Sequence, residues 1–320
     1  MTRHLLSQLA HVELLSPKPA ETVAFLEQVI GLEVSARSAQ SVYMRCWGEF
    51  FHHDLKITES AHSGLGHIGW RADSADDLQE VARVLSNTSS GEGWHDGDQG
   101  HGPAYRFRSP NGHLNEVFWE VERWHAPPTL QTTHRNRPQK YTGRGAGARK
   151  LNHVTVSAAN VREGREFYTR YLGFQYHEGA VFDGTDREAT AFISVTHRSH
   201  DLGIVLDPTG ASGRLNHIAF WLDTREEVLR AADLISDYNE KALEFGPGRH
   251  NATEGFFLYL REPGGNRIEL FNGDNETLAP DQEPVVWRTS EHPTMYWTGD
   301  MPPSMYAYAT PPIEVQQQTN

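Results

Sequence analysis

The chain has 320 residues, a formal net charge of −13 and a single cysteine, Cys46. That length suits two domains of about 150 residues each, the acidic balance argues against nucleic acid or an anionic membrane as partner, and one cysteine excludes an intrachain disulfide. No run of about 20 apolar residues and no signal-peptide pattern is found, so a cytoplasmic protein is expected.

In chain order, the first clear element is a helix near Ala20–Ile30, closed by Gly31, and Ser109-Pro110-Asn111-Gly112 later marks a turn between strands. Residues 125–150 are rich in Pro, Gly, Arg and Lys, lack periodicity and read as a linker. Leu151–Val156 reads as a strand. Asn160 is placed to cap a helix running to about Leu172, with Val161, Phe167, Tyr168, Tyr171 and Leu172 on one face and Gly173 as its stop. Strands follow at Ala189–Val195, Asp201–Leu206 and Asn216–Leu222, then a helix near Arg225–Ser236, then strands Phe256–Leu260 and Arg267–Phe271 joined at Gly264-Gly265. The order predicts an α+β fold of two tandem domains, each a pair of βαβββ units forming a cupped, barrel-like mixed sheet. The expected divisions are 1–124, a linker at 125–150, 151–276, and a tail at 277–320. The tail's Trp287, Tyr296, Trp297, Tyr306 and Tyr308 are expected to pack back near the second domain's site, and Gln316–Asn320 to be disordered.

One pattern of metal-ligand residue types occurs twice. The first half holds His11, His53, His67 and Glu116; the second holds His153, His200, His217 and Glu269, in the same order and similar contexts. The spacing between copies runs from 142 residues (153 − 11) at the first histidine to 153 residues (269 − 116) at the glutamate. Side chains alternate faces along a strand. Val154 and Val156 therefore oppose His153, Ile218 and Phe220 oppose His217, and Ile268 and Leu270 oppose Glu269. Three strands then present one apolar face for helices and one ligand each on the other. Two imidazoles and a carboxylate leaving positions open suit Fe(II) or Mn(II) better than a closed structural zinc site. His200 sits where it can face the same cleft without being a ligand, and an imidazole there can transfer a proton near neutral pH.

These residues resemble a known family. The duplicated units resemble the vicinal oxygen chelate superfamily, and the second half resembles its type I extradiol ring-cleavage dioxygenases. The stretches that carry the resemblance are Leu151-Asn152-His153-Val154, His200-Asp201, Gly213 through Phe220, Gly246-Pro247-Gly248-Arg249-His250, and Leu258 through Glu269. The resemblance implies Fe(II), with Mn(II) as the alternative, held by His153, His217 and Glu269. It implies a catechol bound through both oxygens, O2 as co-substrate, His200 as acid–base catalyst, and Tyr259 and His250 bonding the substrate oxygen. It also implies a homo-oligomer, a tetramer, with no nucleic-acid or membrane partner.

The halves are not equal, and the aromatic tail follows only the second. Ten residues before its glutamate the first half has Arg106 in place of Tyr259, while Gly91-Glu92-Gly93-Trp94-His95 parallels the run ending in His250. The first triad, His11, His67 and Glu116, is therefore read as vestigial and only the second as catalytic. Family members that take carboxylated catechols carry arginines where this chain has Phe245 and Thr294-Met295, which favours catechol and apolar-substituted catechols, with Phe192 and Trp297 as pocket walls. The competing readings are a metal-dependent isomerase or lyase of the glyoxalase type, and a non-catalytic small-molecule binding protein of the same fold.

Overall fold

The computed structural model describes residues 4–279, 281–297 and 300–312. The expected disorder at Gln316–Asn320 lies outside these residues. The first half contributes strands β1 (Leu6–Ser16), β2 (Glu33–Arg37), β3 (Ser41–Arg45), β4 (Leu55–Glu59), β5 (Gly64–Ala72), β6 (Gly91–His95), β7 (Ala104–Arg108) and β8 (Leu114–Phe118), with helices α1 (Pro19–Phe25) and α2 (Ala75–Ser86). They form one mixed sheet in the order β2-β3-β4-β1-β5-β8-β7-β6. The second half repeats this with β9 (Lys150–Ala158), β10 (Gln175–Val181), β11 (Glu188–Ser194), β12 (Leu202–Leu206), β13 (Arg214–Trp221), β14 (Leu243–Arg249), β15 (Phe256–Arg261) and β16 (Arg267–Asn272), with α3 (Val161–Leu172) and α4 (Arg225–Tyr238). Its order is β14-β15-β16-β13-β9-β12-β11-β10, extended at the β10 edge by tail strand β17 (Val285–Arg288). A short helix α5 (Pro303–Ala307) follows. The fold is thus α+β, two tandem domains of paired βαβββ units, as the sequence predicts.

Each domain's two units meet through an antiparallel pair, β1 with β5 and β9 with β13. Parallel pairs flank it: β1–β4 and β5–β8 in one domain, β9–β12 and β13–β16 in the other. The central strands, where ligands from three strands can converge, are therefore fixed by register from both sides.

Local signals account for the helices. Asn160 accepts from the Glu163 backbone N–H at the start of α3, and Gly173 ends it at φ 79°, a conformation glycine adopts without Cβ strain. Thr224 and Glu227 form a capping box on α4, worth about 1 kcal/mol. The predicted helix over 20–30 is shorter than expected: α1 ends at Phe25, and a wider turn over Leu26–Ile30 closes when Gly31 donates its N–H to the Leu26 carbonyl. The strand directly after each second-half helix, β10 and β14, is not predicted by apolar alternation.

The strand faces opposite the ligands are fully buried: Val12, Leu14, Ile68 and Val117 in the first half, Val154, Val156, Ile218, Phe220, Ile268 and Leu270 in the second. They share one continuous core with the helices of both halves. Burying each such side chain contributes about 1.5–3 kcal/mol. The halves also meet through polar contacts. Tyr168 of α3 donates to Asn115, Thr22 donates to Glu262, and His113 Nε2 lies 3.1 Å from the Arg214 carbonyl. Residues 125–149 contain no helix or strand, yet they are held: Gln139 bridges Arg45 and Glu33, and Ala146 and Ala148 are buried.

Candidate active site

Among the described residues, two buried groups bring three candidate ligands within 4.8 Å of one another: His153, His217 and Glu269, and His11, His67 and Glu116. In the second domain the three come from β9, β13 and β16. His153 Nε2 and His217 Nε2 lie 3.2 Å apart, and Glu269 Oε2 lies 3.0 and 3.1 Å from them.

The outer ring nitrogens decide what these atoms can do. Asn216 donates its amide to the Tyr308 carbonyl, and its Oδ1 accepts from Arg267. That oxygen therefore accepts again, from His217 Nδ1 at 2.7 Å. His153 Nδ1 donates to Asn152 Oδ1 at 2.7 Å, although the Asn152 amide nitrogen, unlike that of Asn216, is buried without a partner. Both imidazoles thus carry their proton on Nδ1 and turn the Nε2 lone pair inward. Two lone pairs and a carboxylate oxygen then face one another in a dry site, an arrangement that is costly unless a cation sits among them. The donor set fits a divalent metal. Burial favours the neutral Glu269 carboxyl, but the surrounding imidazoles of His153, His217 and His250 offset this and hold it well below the usual range; burial lowers His217 to about 4.

The remaining predicted residues surround this point. His200 lies not on β12 but in the loop just before it. Asp201 ties that loop by accepting from Ser194 Oγ and the Val195 and Thr196 N–H groups. The His200 ring sits 4.0 Å from that of His153 and 4.8 Å from Phe192, with Ser199 Oγ 2.8 Å from Nδ1. Burial drives its pKa well below the ordinary value. Tyr259 pairs with Glu269 across β15–β16, and burial followed by the Glu269 charge raises its phenol well above 10. His250 donates from Nδ1 to the Thr294 carbonyl at 2.8 Å, which leaves Nε2 to accept from Tyr259 OH at 3.3 Å. Phe257 stacks on His250 at 4.0 Å, and Phe245 and Met295 pack against that ring.

Trp297 is not brought to the site. It is 56 % exposed and meets Phe256, whose side chain lies on the helix side of β15, opposite Phe257 and Tyr259. The tail reaches the site by other residues. Trp287 donates to Glu178, Arg214 donates to the Thr310 and Ala309 carbonyls, and Leu215 N–H donates to Thr310 Oγ1. Buried Arg267 joins Asn216, Glu244 and the Met305 carbonyl under the Tyr308 ring. Tyr296 and Tyr306 stay about half exposed.

In the first domain His11, His67 and Glu116 occupy the matching strands, and Arg106 pairs with Glu116 in the register of Tyr259 with Glu269. The sequence parallel that assigns His95 to the place of His250 does not survive. His95 is exposed, and His101 stands there instead, its Nε2 3.2 Å from Glu116 as His250 Nε2 is 3.4 Å from Glu269. The loop between β6 and β7 differs in length from that between β14 and β15, so counting from the glycines misplaces the histidine. His53 is buried beside His11, with ring centroids 4.9 Å apart.

This fold and donor set are those of a metal-dependent oxygen-chelate enzyme, and the chain belongs to the Glyoxalase/Bleomycin resistance protein/Dioxygenase superfamily, whose model matches residues 8–117 and 150–270. Within it, the chain is 40 % identical over 310 residues to a metapyrocatechase of Geobacillus stearothermophilus, covering 95 % of this chain and 94 % of that one. It is 32 % identical to a manganese-dependent 2,3-dihydroxybiphenyl 1,2-dioxygenase of Geobacillus genomosp. 3, covering 89 % and 91 %. Its structure resembles the 2,3-dioxygenase LapB of Pseudomonas sp. KL28, with a TM-score of 0.81 and 27 % identity, covering 90 % and 99 %.

Proposed function

We propose that the second-domain site cleaves catechol and apolar-substituted catechols with O2 beside the two hydroxyls, giving 2-hydroxymuconic semialdehyde products in aromatic catabolism. The observation that carries this reading is the pair of Nδ1-protonated imidazoles converging with Glu269, flanked by His200 on one side and Tyr259 with His250 on the other. The relatives named above support the reaction class. An isomerase or binding role leaves those three flanking residues without a task.

A divalent metal held by His153, His217 and Glu269 would gather both substrates and lower the pKa of a bound phenol. The rest falls to the protein. Asn152 and Asn216 fix the ligand tautomers. Tyr259, protonated at neutral pH, donates from its hydroxyl to a substrate oxygen, and His250 Nε2 beside it accepts. His200, neutral in its buried loop, holds or delivers a proton at Nε2 while Ser199 fixes Nδ1. Phe192 and Phe257 present apolar walls. The aromatic Phe245 and thioether Met295 leave no cation for a substrate carboxylate.

Fe(II) is the proposed metal. Mn(II) is the second reading, favoured by the manganese-dependent relative. Anaerobic protein reconstituted with each ion in turn, then mixed with catechol and O2, tests both: oxygen uptake with a yellow product is expected with Fe(II), and no uptake with either ion refutes the reaction. Equal turnover of a carboxymethyl catechol would refute the substrate assignment. A cytoplasmic homotetramer is proposed on the family resemblance, to be checked by equilibrium sedimentation.

A further inference from the structure

We propose that the first domain holds its own divalent metal ion, a non-catalytic site made by His11 Nε2, His67 Nε2 and Glu116 Oε1, with His101 bordering it on the Glu116 side and zinc as the ion to test.

The argument is an account of donors and acceptors. His67 Nδ1 lies 2.7 Å from Glu13 Oε2, so it donates there and turns the Nε2 lone pair inward. His101 Nδ1 lies 2.9 Å from the Gly102 carbonyl, which can only accept, so its Nε2 is likewise a lone pair. His11 Nε2 and His67 Nε2 are 2.8 Å apart. Glu116 Oε1 lies 3.4, 3.2 and 3.2 Å from His11, His67 and His101. All four side chains are at most 3 % exposed. Glu116 Oε1 and His101 Nε2 are buried without a hydrogen-bond partner. A single proton can bridge one of these contacts at a time and leaves the others as facing acceptors. A cation among His11, His67 and Glu116 satisfies those three together.

The surroundings close the site. Arg106 takes Glu116 Oε2 at 3.0 Å, so the carboxylate can offer the ion one oxygen only. Glu13, behind His67, is itself held by Thr58 Oγ1 at 2.5 Å and Lys56 at 3.3 Å, the carboxylate–histidine support common behind metal-bound imidazoles. Phe118 stacks on His101 and His11, with centroids 4.3 and 5.5 Å away. Two imidazoles and one carboxylate oxygen make a donor set that zinc accepts, and Arg106, His101 and Phe118 crowd the space around it.

Metal analysis of the full chain, purified without chelators and then loaded with Zn2+ and Fe(II), tests this without reference to turnover. Two equivalents per chain are expected, with Glu116→Gln losing the zinc and Glu269→Gln losing the other ion. Because the buried Glu116→Gln change can impair folding, anomalous diffraction from the wild-type protein at the zinc edge gives a second reading: a peak among His11, His67 and Glu116 is expected. One equivalent in wild type, no peak at that position, or zinc retained by Glu116→Gln would each overturn the proposal and leave the cluster as a proton-bridged network. Neither measurement depends on ring cleavage, so failure of that reaction would leave this result standing.

Discussion

Glu269 divides its two oxygens between different neighbours, Oε2 facing His153 and His217 and Oε1 facing His250. Glu116, on the equivalent strand, turns Oε1 to His11, His67 and His101 and gives Oε2 to Arg106. The backbone places three histidines and one glutamate alike in both halves. The difference lies in what stands next to the carboxylate: a phenol that can turn to a substrate, or a guanidinium that occupies the oxygen permanently. The support behind the histidines differs too. His217 leans on neutral Asn216, while His67 leans on ionised Glu13, which enters the space left by Gly66, where a Cβ would run into its carboxylate. The same triad thus sits in two different settings, which differ in what its neighbours leave free.

The largest test of this contrast is Glu269→Gln, expected to reduce ring cleavage below detection and to release the second-domain metal. Loss of oxygen uptake with the metal retained would break the assignment. Next is His200→Asn, expected to lower kcat by roughly 10²–10⁴-fold, the range of a lost proton-transfer group, with metal content unchanged. Its counterpart His53→Asn is expected to stay near wild-type turnover, and equal losses in the two would remove the distinction between the halves. Arg267→Met, which loosens Asn216 behind His217 as well as the Glu244 and Met305 contacts, is expected to weaken second-domain metal affinity about 10–100-fold, read by chelator competition.

The smallest expected effect lies at the seam between the halves. Buried His113, whose pKa burial lowers to about 4, bonds the Arg214 carbonyl. Its folded pKa lies below the unfolded value of 6.5, so the neutral form stabilises the fold. That contribution is complete above about pH 6.5 and is lost as pH falls toward 4, on the order of 3 kcal/mol. Urea midpoints for wild type and His113→Gln should converge over that window, and parallel curves would exclude the histidine as the cause.

Strand alternation made the three ligands of each half legible, because Val154, Ile218 and Ile268 are apolar for the helix face while His153, His217 and Glu269 face away. The capped helix α3 was legible for similar local reasons. Other features depend on geometry that local pattern does not carry. Strands β10 and β14, Gln175–Val181 and Leu243–Arg249, include charged residues and glycines and lie toward the outside of the sheet, so apolar alternation is weak. His101 enters the first cluster from a loop whose length has no counterpart in the second half, and only three-dimensional register finds it. Trp297 suggested a pocket wall by being aromatic and near the tail, but Phe256 draws it to the other side of the strand. The outer supports, Asn152, Asn216 and Arg267, were unmarked because amides and arginines gain a role only once their partners are in place.

The tail clamp has a consequence for the order in which the molecule is made. Synthesis runs from the N-terminus, and domains tend to fold as they emerge. The first domain's cluster draws its residues from His11 to Glu116 and can close while the ribosome is still building the remainder. The second cannot, because Asn216, which aims His217, is itself held by the Tyr308 carbonyl, and β13 is bonded to Thr310. The site becomes fully oriented only after residue 310 has left the exit tunnel. A chain released early would carry the ligands without their final aim, so the last contacts act as a check that the polypeptide has been made through to its tail.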